Sequence, residues 1–127
     1  MKFLVDTDVI IDHLRKRKAI QEQVLDYGVI SIITLGELIY GTYKSIHPQK
    51  SLVSLKRDLQ ILDFEIINID EVVIAEFGRM KAELEIKGER LDDFDLLIAA
   101  TALVNSFIFV TRNIKHFKRI KGLQLNG

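Results

Sequence analysis

The segment Lys2–Asp12, KFLVDTDVIID, constrains the fold more than any other part of this 127-residue chain. The apolar run Phe3–Val5 is too short for a helix and is typical of a buried strand. The run ends at Asp6, Asp8 follows two residues later, and an apolar pattern with helical spacing begins at once. A strand that ends in two carboxylates before a helix places negative charge at the carboxyl edge of a sheet, where open α/β sheets bind their ligands.

Composition excludes several classes of protein. Hydrophobic residues make up 48% of the chain, which excludes a disordered chain and allows a single domain, residues 1–127, to bury a core. The absence of cysteine excludes disulfides, thiolate zinc sites and cysteine nucleophiles. No apolar run approaches the ~18 residues that span a bilayer, and no signal-peptide pattern is present, so we expect a cytoplasmic protein with no membrane segment.

Short apolar segments alternate with helical patterns along the chain. The predicted strands cover residues 2–6, 29–33, 64–69 and 107–110, with a short edge strand at 123–125. This alternation is typical of an α/β fold in which a parallel sheet carries helices on both faces. Because right-handed crossovers bring the carboxyl ends of all strands to one edge, we expect Asp6, Glu37 and the loop from Thr111 to Asn113 to converge there.

Three carboxylates are the candidate catalytic residues and metal ligands. Asp6 ends the first strand and is not needed as a helix cap, because Asp8 can cap the helix that follows. Glu37 either completes a capping box with Thr34 or turns towards Asp6. Asp95 lies in the first turn of a helix that is apolar on nearly every side. A carboxylate buried there among other carboxylates requires a cation.

Four further residues flank these acids. Asp92 and Asp93 are expected to cap the helix of Asp95 or to remain solvated. Thr111 is predicted to orient a neighbouring carboxylate. Asn113 either forms a hydrogen bond with a water molecule or another acid, or is an ordinary turn residue. A site with only oxygen ligands favours Mg²⁺ or Mn²⁺, and such a site can activate water and neutralise charge on a phosphodiester.

Charge is distributed unevenly although the net charge is zero. Residues 96–127 contain five Lys or Arg and no acid, and they predict a basic rim beside the acidic site. Such a rim suits an enzyme that acts on a phosphate backbone, with Arg112 and Lys115 as candidate RNA contacts. The run Arg15–Lys18 is interpreted as a solvated helix end, with a phosphate contact as the alternative.

Four segments, in this order and spacing, resemble the PIN-domain family, and specifically the toxin ribonucleases of VapBC-type toxin–antitoxin pairs: VDTDVIIDHL, ISIITLGELIYG, DDFDLLIAATAL and FVTRNIKHFKRIKGLQL. The resemblance spans almost the whole chain. It implies a three-layer α/β sandwich with a central parallel sheet of four to five strands, and a Mg²⁺-dependent endoribonuclease. By position, Asp6, Glu37 and Asp95 match the acidic triad of the family, whereas Asn113 stands where the family often has a fourth acid. Asp8 stands where many relatives carry asparagine and is a further candidate ligand.

The resemblance also implies two protein partners. Family members typically form homodimers and are held inactive by a small antitoxin protein whose tail covers the acidic site. The residues themselves suggest a homodimer as well, because one helix carries more apolar residues than a single buried face needs: Leu35, Leu38, Ile39 and Tyr43.

Two other functions compete with the nuclease. A phosphatase of the haloacid-dehalogenase type would use Asp6 as nucleophile and Asp8 as acid and base. That motif favours Thr or Val where Ile10 stands, and it requires a late acidic pair after a strand, whereas Asp92 and Asp93 follow a helix and a polar turn. A non-catalytic binding module would use the acids at an interface or to bind a stabilising metal.

Overall fold

Every predicted strand is present in the computed structural model, which describes residues 1–127. The strands are β1 (Phe3–Val5), β2 (Gly28–Ser31), β3 (Glu65–Ile67), β4 (Ile108–Val110) and β5 (Leu125–Asn126). The helices are α1 (Thr7–Leu14), α2 (Glu22–Tyr27), α3 (Ile32–Tyr43), α4 (Pro48–Leu62), α5 (Glu71–Ile86), α6 (Asp93–Asn105) and α7 (Ile114–Phe117). No helix combines the length and the apolar character that a membrane crossing requires.

The strands form one parallel sheet in the order β3-β2-β1-β4-β5. Side chains of successive residues in a strand point to opposite faces, so β1 contributes to two cores. Leu4 packs in a cluster with residues of α5, α6 and α7, whereas Phe3 and Val5 pack in a second cluster with residues of α1, α2, α3 and α4. The predicted three-layer α/β sandwich is therefore confirmed, with five strands in its middle layer.

The start of α1 differs from the prediction. Asp6, rather than Asp8, is the N-cap, and its Oδ1 accepts a hydrogen bond from the backbone N–H of Thr7 at 2.9 Å. Asp8 lies in the first turn of the helix. The prediction was wrong because the helix begins directly after the strand, which leaves Asp6 with the extended backbone that an N-cap residue needs.

The start of α3 also differs from the prediction. Ser31 ends β2 in an extended conformation and caps α3, its Oγ accepting from the backbone N–H of Ile33 at 3.0 Å. Of the two alternatives for Glu37, the capping box with Thr34 is therefore not formed, since Thr34 is already inside the helix. Glu37 is thus free of a capping role, and its side chain is available to the carboxyl edge of the sheet.

The apolar residues of α3 are largely used inside the molecule. Leu38 is buried in the second core cluster, and Leu35 and Ile39 pack against that cluster. The sequence prediction counted these three side chains as surplus surface, which is wrong for the buried Leu38. Tyr40 and Tyr43 of the same helix are exposed.

Candidate active site

The functional side chains predicted from the sequence lie on elements that meet at the carboxyl edge of the sheet. Asp6 directly follows β1, and Thr111 directly follows the neighbouring strand β4. Glu37 lies in the second turn of α3, which begins where β2 ends, and Asp95 lies in the first turn of α6. Parallel topology alone brings these chain segments to one edge.

Asp6 is the most rigidly held of these acids. Its side chain is 5% exposed, and both of its carboxylate oxygens accept hydrogen bonds, Oδ1 from the Thr7 backbone and Oδ2 from Thr111 Oγ1 at 2.8 Å. Burial raises the pKa of Asp6 above its ordinary value, the two hydrogen bonds oppose that rise, and the charges of Asp8 and Glu37 add to it. The prediction that Thr111 orients a neighbouring carboxylate is confirmed.

Glu37 is positioned by a threonine hydroxyl that the sequence did not single out. Thr7 Oγ1 donates to Glu37 Oε1 at 2.5 Å, and Thr7 Oγ1 also lies 3.1 Å from Thr34 Oγ1. Thr7 is buried, and its backbone N–H is the group that binds Asp6. One residue of α1 therefore contacts two of the three predicted ligands, and its place between Asp6 and Asp8 was the only sequence signal for it.

Burial and neighbouring negative charges both oppose ionisation of Asp95. Burial, together with the charges of Asp6, Asp92, Glu37 and Asp8, in that order, raises the pKa of Asp95 to about 6. Asp8 itself is exposed on the first turn of α1. The charges of four carboxylates thus act on a fifth, Asp95, at a partly buried edge, and this surplus of negative charge favours a cation.

The chemistry of these donors fits a hard divalent cation. Carboxylate oxygens are the ligands that Mg²⁺ and Mn²⁺ prefer, and no histidine or cysteine is among them. No group of three or more Asp, Glu or His side chains already points at a common metal position in this conformation. Hydrogen bonds explain that arrangement, because Glu37 is turned to Thr7 and Asp6 to Thr111. Binding a metal through all three acids therefore requires side-chain rotation.

Residues after β4 have mixed roles. Arg112 Nε donates to Asp12 Oδ2 at 2.6 Å, so this guanidinium ties the loop to α1. Lys115 is exposed and forms no ion pair. Asn113 is exposed at the start of α7, where its side chain makes no capping hydrogen bond, while its backbone N–H donates to Thr111 Oγ1 at 3.1 Å. RNA contacts at Arg112 and Lys115, and a ligand role for Asn113, remain predictions.

The acidic pair before α6 has structural roles, as expected. Asp92 is the N-cap of α6, and its side chain accepts from the backbone N–H of Phe94 at 3.1 Å. Asp93 is exposed and pairs with Lys81 at 2.9 Å. Asp92 and Asp93 follow α5 and lie at the start of α6 rather than after a strand, so the arrangement that a haloacid-dehalogenase phosphatase requires is not formed.

A groove opens beside the acids. It has a volume of about 920 Å³ and runs between α1 and α3, with Asp8 and Glu37 at one end. Two adjoining depressions share Arg15 and Ser45 with it and continue to the start of α4, so we treat all three as one α1–α3 groove. Its walls include the exposed rings of Tyr40 and Phe94, which the sequence did not identify as functional.

Comparison with known proteins gives consistent results. The family model described as PIN domain matches residues 3–123. Ribonuclease VapC1 of Methanocaldococcus jannaschii is 40% identical over 120 residues, which cover 94% of this chain and 82% of that protein. The tRNA(fMet)-specific endonuclease VapC of Salmonella typhimurium is 32% identical, with coverage of 98% and 96%.

Structural comparison points the same way. A chain in the crystal structure of VapBC2 from Rickettsia felis bound to a DNA fragment from their promoter superposes with a TM-score of 0.86 at 30% identity, covering 99% of this chain and 98% of that one. Sequence and fold agree over nearly the whole length, and on this basis the chain belongs to the PIN-domain family as a VapC-type member.

Proposed function

We propose that this protein is a metal-dependent endoribonuclease that uses Mg²⁺ or Mn²⁺, and that it acts as the toxin of a toxin–antitoxin pair. The observation that carries the proposal is the convergence of Asp6, Glu37 and Asp95 at one partly buried edge, where the charge of Glu37 raises the pKa of both Asp6 and Asp95. VapC relatives named as ribonucleases over nearly the same length support RNA as the substrate class.

Asp6, Asp95 and Glu37 would hold the metal ion, with Asp8 and Asn113 as further candidate ligands. When bound, the ion supplies a polarised water and neutralises charge on the scissile phosphodiester. Asp6 is held in place for this role by Thr111 Oγ1 and by the Thr7 backbone N–H. Thr7 Oγ1 holds Glu37 at the carboxyl edge of the sheet, where its carboxylate would serve as a further ligand.

Asp95 determines how this site responds to pH. Its pKa of about 6 means that a fraction of the molecules carries a proton on Asp95 in mildly acidic solution. Metal ligands of this type bind in the deprotonated form, so metal binding displaces that proton. We therefore expect metal affinity and RNA cutting to fall together as the pH drops below about 6.

Metal dependence and ligand identity are tested by one set of cutting assays on labelled RNA. Purified protein should cut RNA with Mg²⁺ or Mn²⁺, and a chelator should abolish cutting. Asp95→Asn should reduce the rate of cutting by more than about 100-fold. Loss of even a residue that hydrogen-bonds to a metal ligand lowers metal affinity or activity 10- to 100-fold. Asp93→Asn is the matched control, since Asp93 lies in the same helical turn but pairs with Lys81.

Four outcomes would contradict the proposal. Cutting at the normal rate by Asp95→Asn would show that the site is wrongly assigned. Cutting in the presence of a chelator would show that the reaction does not depend on a metal ion. A phosphoryl group trapped on Asp6 would favour the haloacid-dehalogenase alternative, and absence of any cutting by folded protein under all metals would favour a binding module.

We further propose two protein partners. VapBC complexes among the structural relatives support a cognate antitoxin as one partner. A homodimer is the other, and the exposed ring of Tyr43 on α3 supplies apolar surface for it. Light scattering at high protein concentration tests the homodimer directly, and a monomeric mass at that concentration would exclude the homodimer.

A further inference from the structure

The α1–α3 groove contains cations that no acid of this protein neutralises. Arg15, Lys44 and Lys50 line it, all three are exposed, and none forms an ion pair. Arg112, by contrast, is tied to Asp12 at 2.6 Å. The cations that remain free for a ligand beside the acidic end of the molecule therefore include those of this groove.

Two aromatic rings line the same groove as these cations and acids. Tyr40 is 63% exposed and Phe94 is 50% exposed, and both line the same groove. The ammonium group of Lys44 lies 5.3 Å from the centre of the Tyr40 ring, so a cation and a stacking surface stand side by side. Single-stranded nucleic acids are bound by this combination, in which cations contact phosphates and aromatic rings stack on bases.

The order of residues along the groove fits a strand that passes through the proposed active site. Glu37 lies at its acidic end, and Lys44 lies nearly two turns further along α3, a distance of about 10 Å. Lys50 follows in the first turn of α4, where Ser45 and Ser51 also line the groove. Two cations, Lys44 and Lys50, thus follow Glu37 along α3 and into α4, where Asp58 also lines the groove, and these cations would hold phosphates on one side of the point of cutting.

We propose that the α1–α3 groove binds a single-stranded segment of the RNA substrate, with phosphates at Arg15, Lys44 and Lys50. Bases of this segment stack on Tyr40 and Phe94. The inference rests on the proposed ribonuclease function and extends it, because it moves the main RNA contact from the predicted basic rim after β4 to the opposite side of the acids. Charge favours RNA over a protein segment, since a typical apolar helix would leave these cations unpaired.

The test is the salt dependence of RNA binding, measured without metal so that no cutting occurs. Fluorescence anisotropy with a labelled single-stranded RNA of about 12 nucleotides suits a site of this type. Each phosphate contact to a single strand contributes about 0.7 to the slope of log affinity against log salt. The variant R15Q/K44Q/K50Q should therefore lower the slope by about 2 and weaken binding at low salt.

A charge-matched variant controls for net charge. K56Q/R57Q/R90Q removes three exposed cations that lie outside both the groove and the predicted basic rim, and its slope should match that of the native protein. Stacking is tested separately at one position: Tyr40→Ala should weaken RNA binding about 5-fold or more, and Tyr40→Phe should restore it.

Each result supports or overturns the proposal. An unchanged slope for R15Q/K44Q/K50Q overturns it and leaves the groove to a protein segment, and an equal loss in the control variant overturns it too, because the effect would then be one of net charge. The assay also separates this inference from the proposed function. Native protein that cuts RNA while the groove variant binds normally refutes the groove alone, and native protein that binds RNA through the groove but never cuts refutes the nuclease alone.

Discussion

Replacing Asp95 with asparagine should make the metal-free protein more stable at neutral pH, although it removes a proposed ligand. The pKa of Asp95 is about 6 in the folded protein and 3.8 is its ordinary value. The folded state therefore keeps a proton that the unfolded chain loses between about pH 4 and 6. Stability falls as the pH rises through that range, because the folded state binds more protons than the unfolded state.

The size of the effect follows from the same two pKa values. A tenfold change in proton affinity is worth about 1.4 kcal/mol, so the cost of the Asp95 charge is at most about 3 kcal/mol. The side chain is only partly buried, and screening by water reduces this to about 1–2 kcal/mol. Asparagine also forfeits the attraction of the charge to the α6 dipole, 0.3–1 kcal/mol, so the net gain is about 1 kcal/mol.

Thermal unfolding in a chelator, across a pH series, measures this difference. At neutral pH, Asp95→Asn should melt about 4 °C above the native protein, and the two curves should converge below about pH 4. Added Mg²⁺ should then stabilise the native protein more than the variant, because only the native site binds the ion strongly. Asp93→Asn is the control and should lose a little stability, since Asp93 is exposed and pairs with Lys81. The reasoning would be refuted if Asp95→Asn were less stable than the native protein in a chelator and kept the same pH profile.

Three further substitutions test how the fold supports the site. Ser31→Ala should lower the free energy of unfolding by about 1 kcal/mol in urea denaturation, because it removes the N-cap of α3, and Ser31→Thr should retain most of the stability. Thr111→Val should weaken Mg²⁺ binding about 10-fold or more in calorimetry, because Asp6 loses an oriented donor, and Thr111→Ser should restore it; equal affinity in both variants would exclude a positioning role. Phe117→Ala should lower the free energy of unfolding by about 3–5 kcal/mol, because the buried ring packs edge-on against Phe109 with 4.8 Å between the ring centroids. A loss below about 1 kcal/mol would contradict this, because it would show that neighbouring side chains fill the cavity.

The apolar pattern was sufficient to predict the sheet because each strand is a short apolar run between polar turns. It was not sufficient to predict where β2 ends. Ile32 and Ile33 are β-branched and extend the strand pattern, yet they lie in α3. Packing of Leu38 into the core and the cap at Ser31 outweigh that weak strand preference, which no local pattern reveals.

The acidic residues of the site could be predicted from the sequence, but the groups that hold them could be predicted only in part. Asp6 and Asp95 stand out because each is a carboxylate beside an apolar segment that must be buried. The hydroxyl donors to Asp6 and Glu37 lie far away along the chain: Thr111 is 105 residues from Asp6, and Thr7 is 30 residues from Glu37. Threonine is common in strands and helices for other reasons, so only the folded arrangement identifies Thr7 as a contact.

The charges of Asp6 and Asp95 are stabilised to different extents by the protein, and this difference predicts different roles for the two residues in the proposed metal site. Asp6 accepts two hydrogen bonds that oppose the effect of its burial on the pKa, so much of the cost of keeping its charge is met within the protein. Burial and the neighbouring carboxylates, the main causes acting on Asp95, all raise its pKa, and none of them is a hydrogen bond. In the proposed metal site, Asp6 would therefore be the ligand that is ready before the ion binds, whereas Asp95 would gain most from the ion's charge. Such a site would bind its cation strongly because the folded protein without the cation is penalised at Asp95.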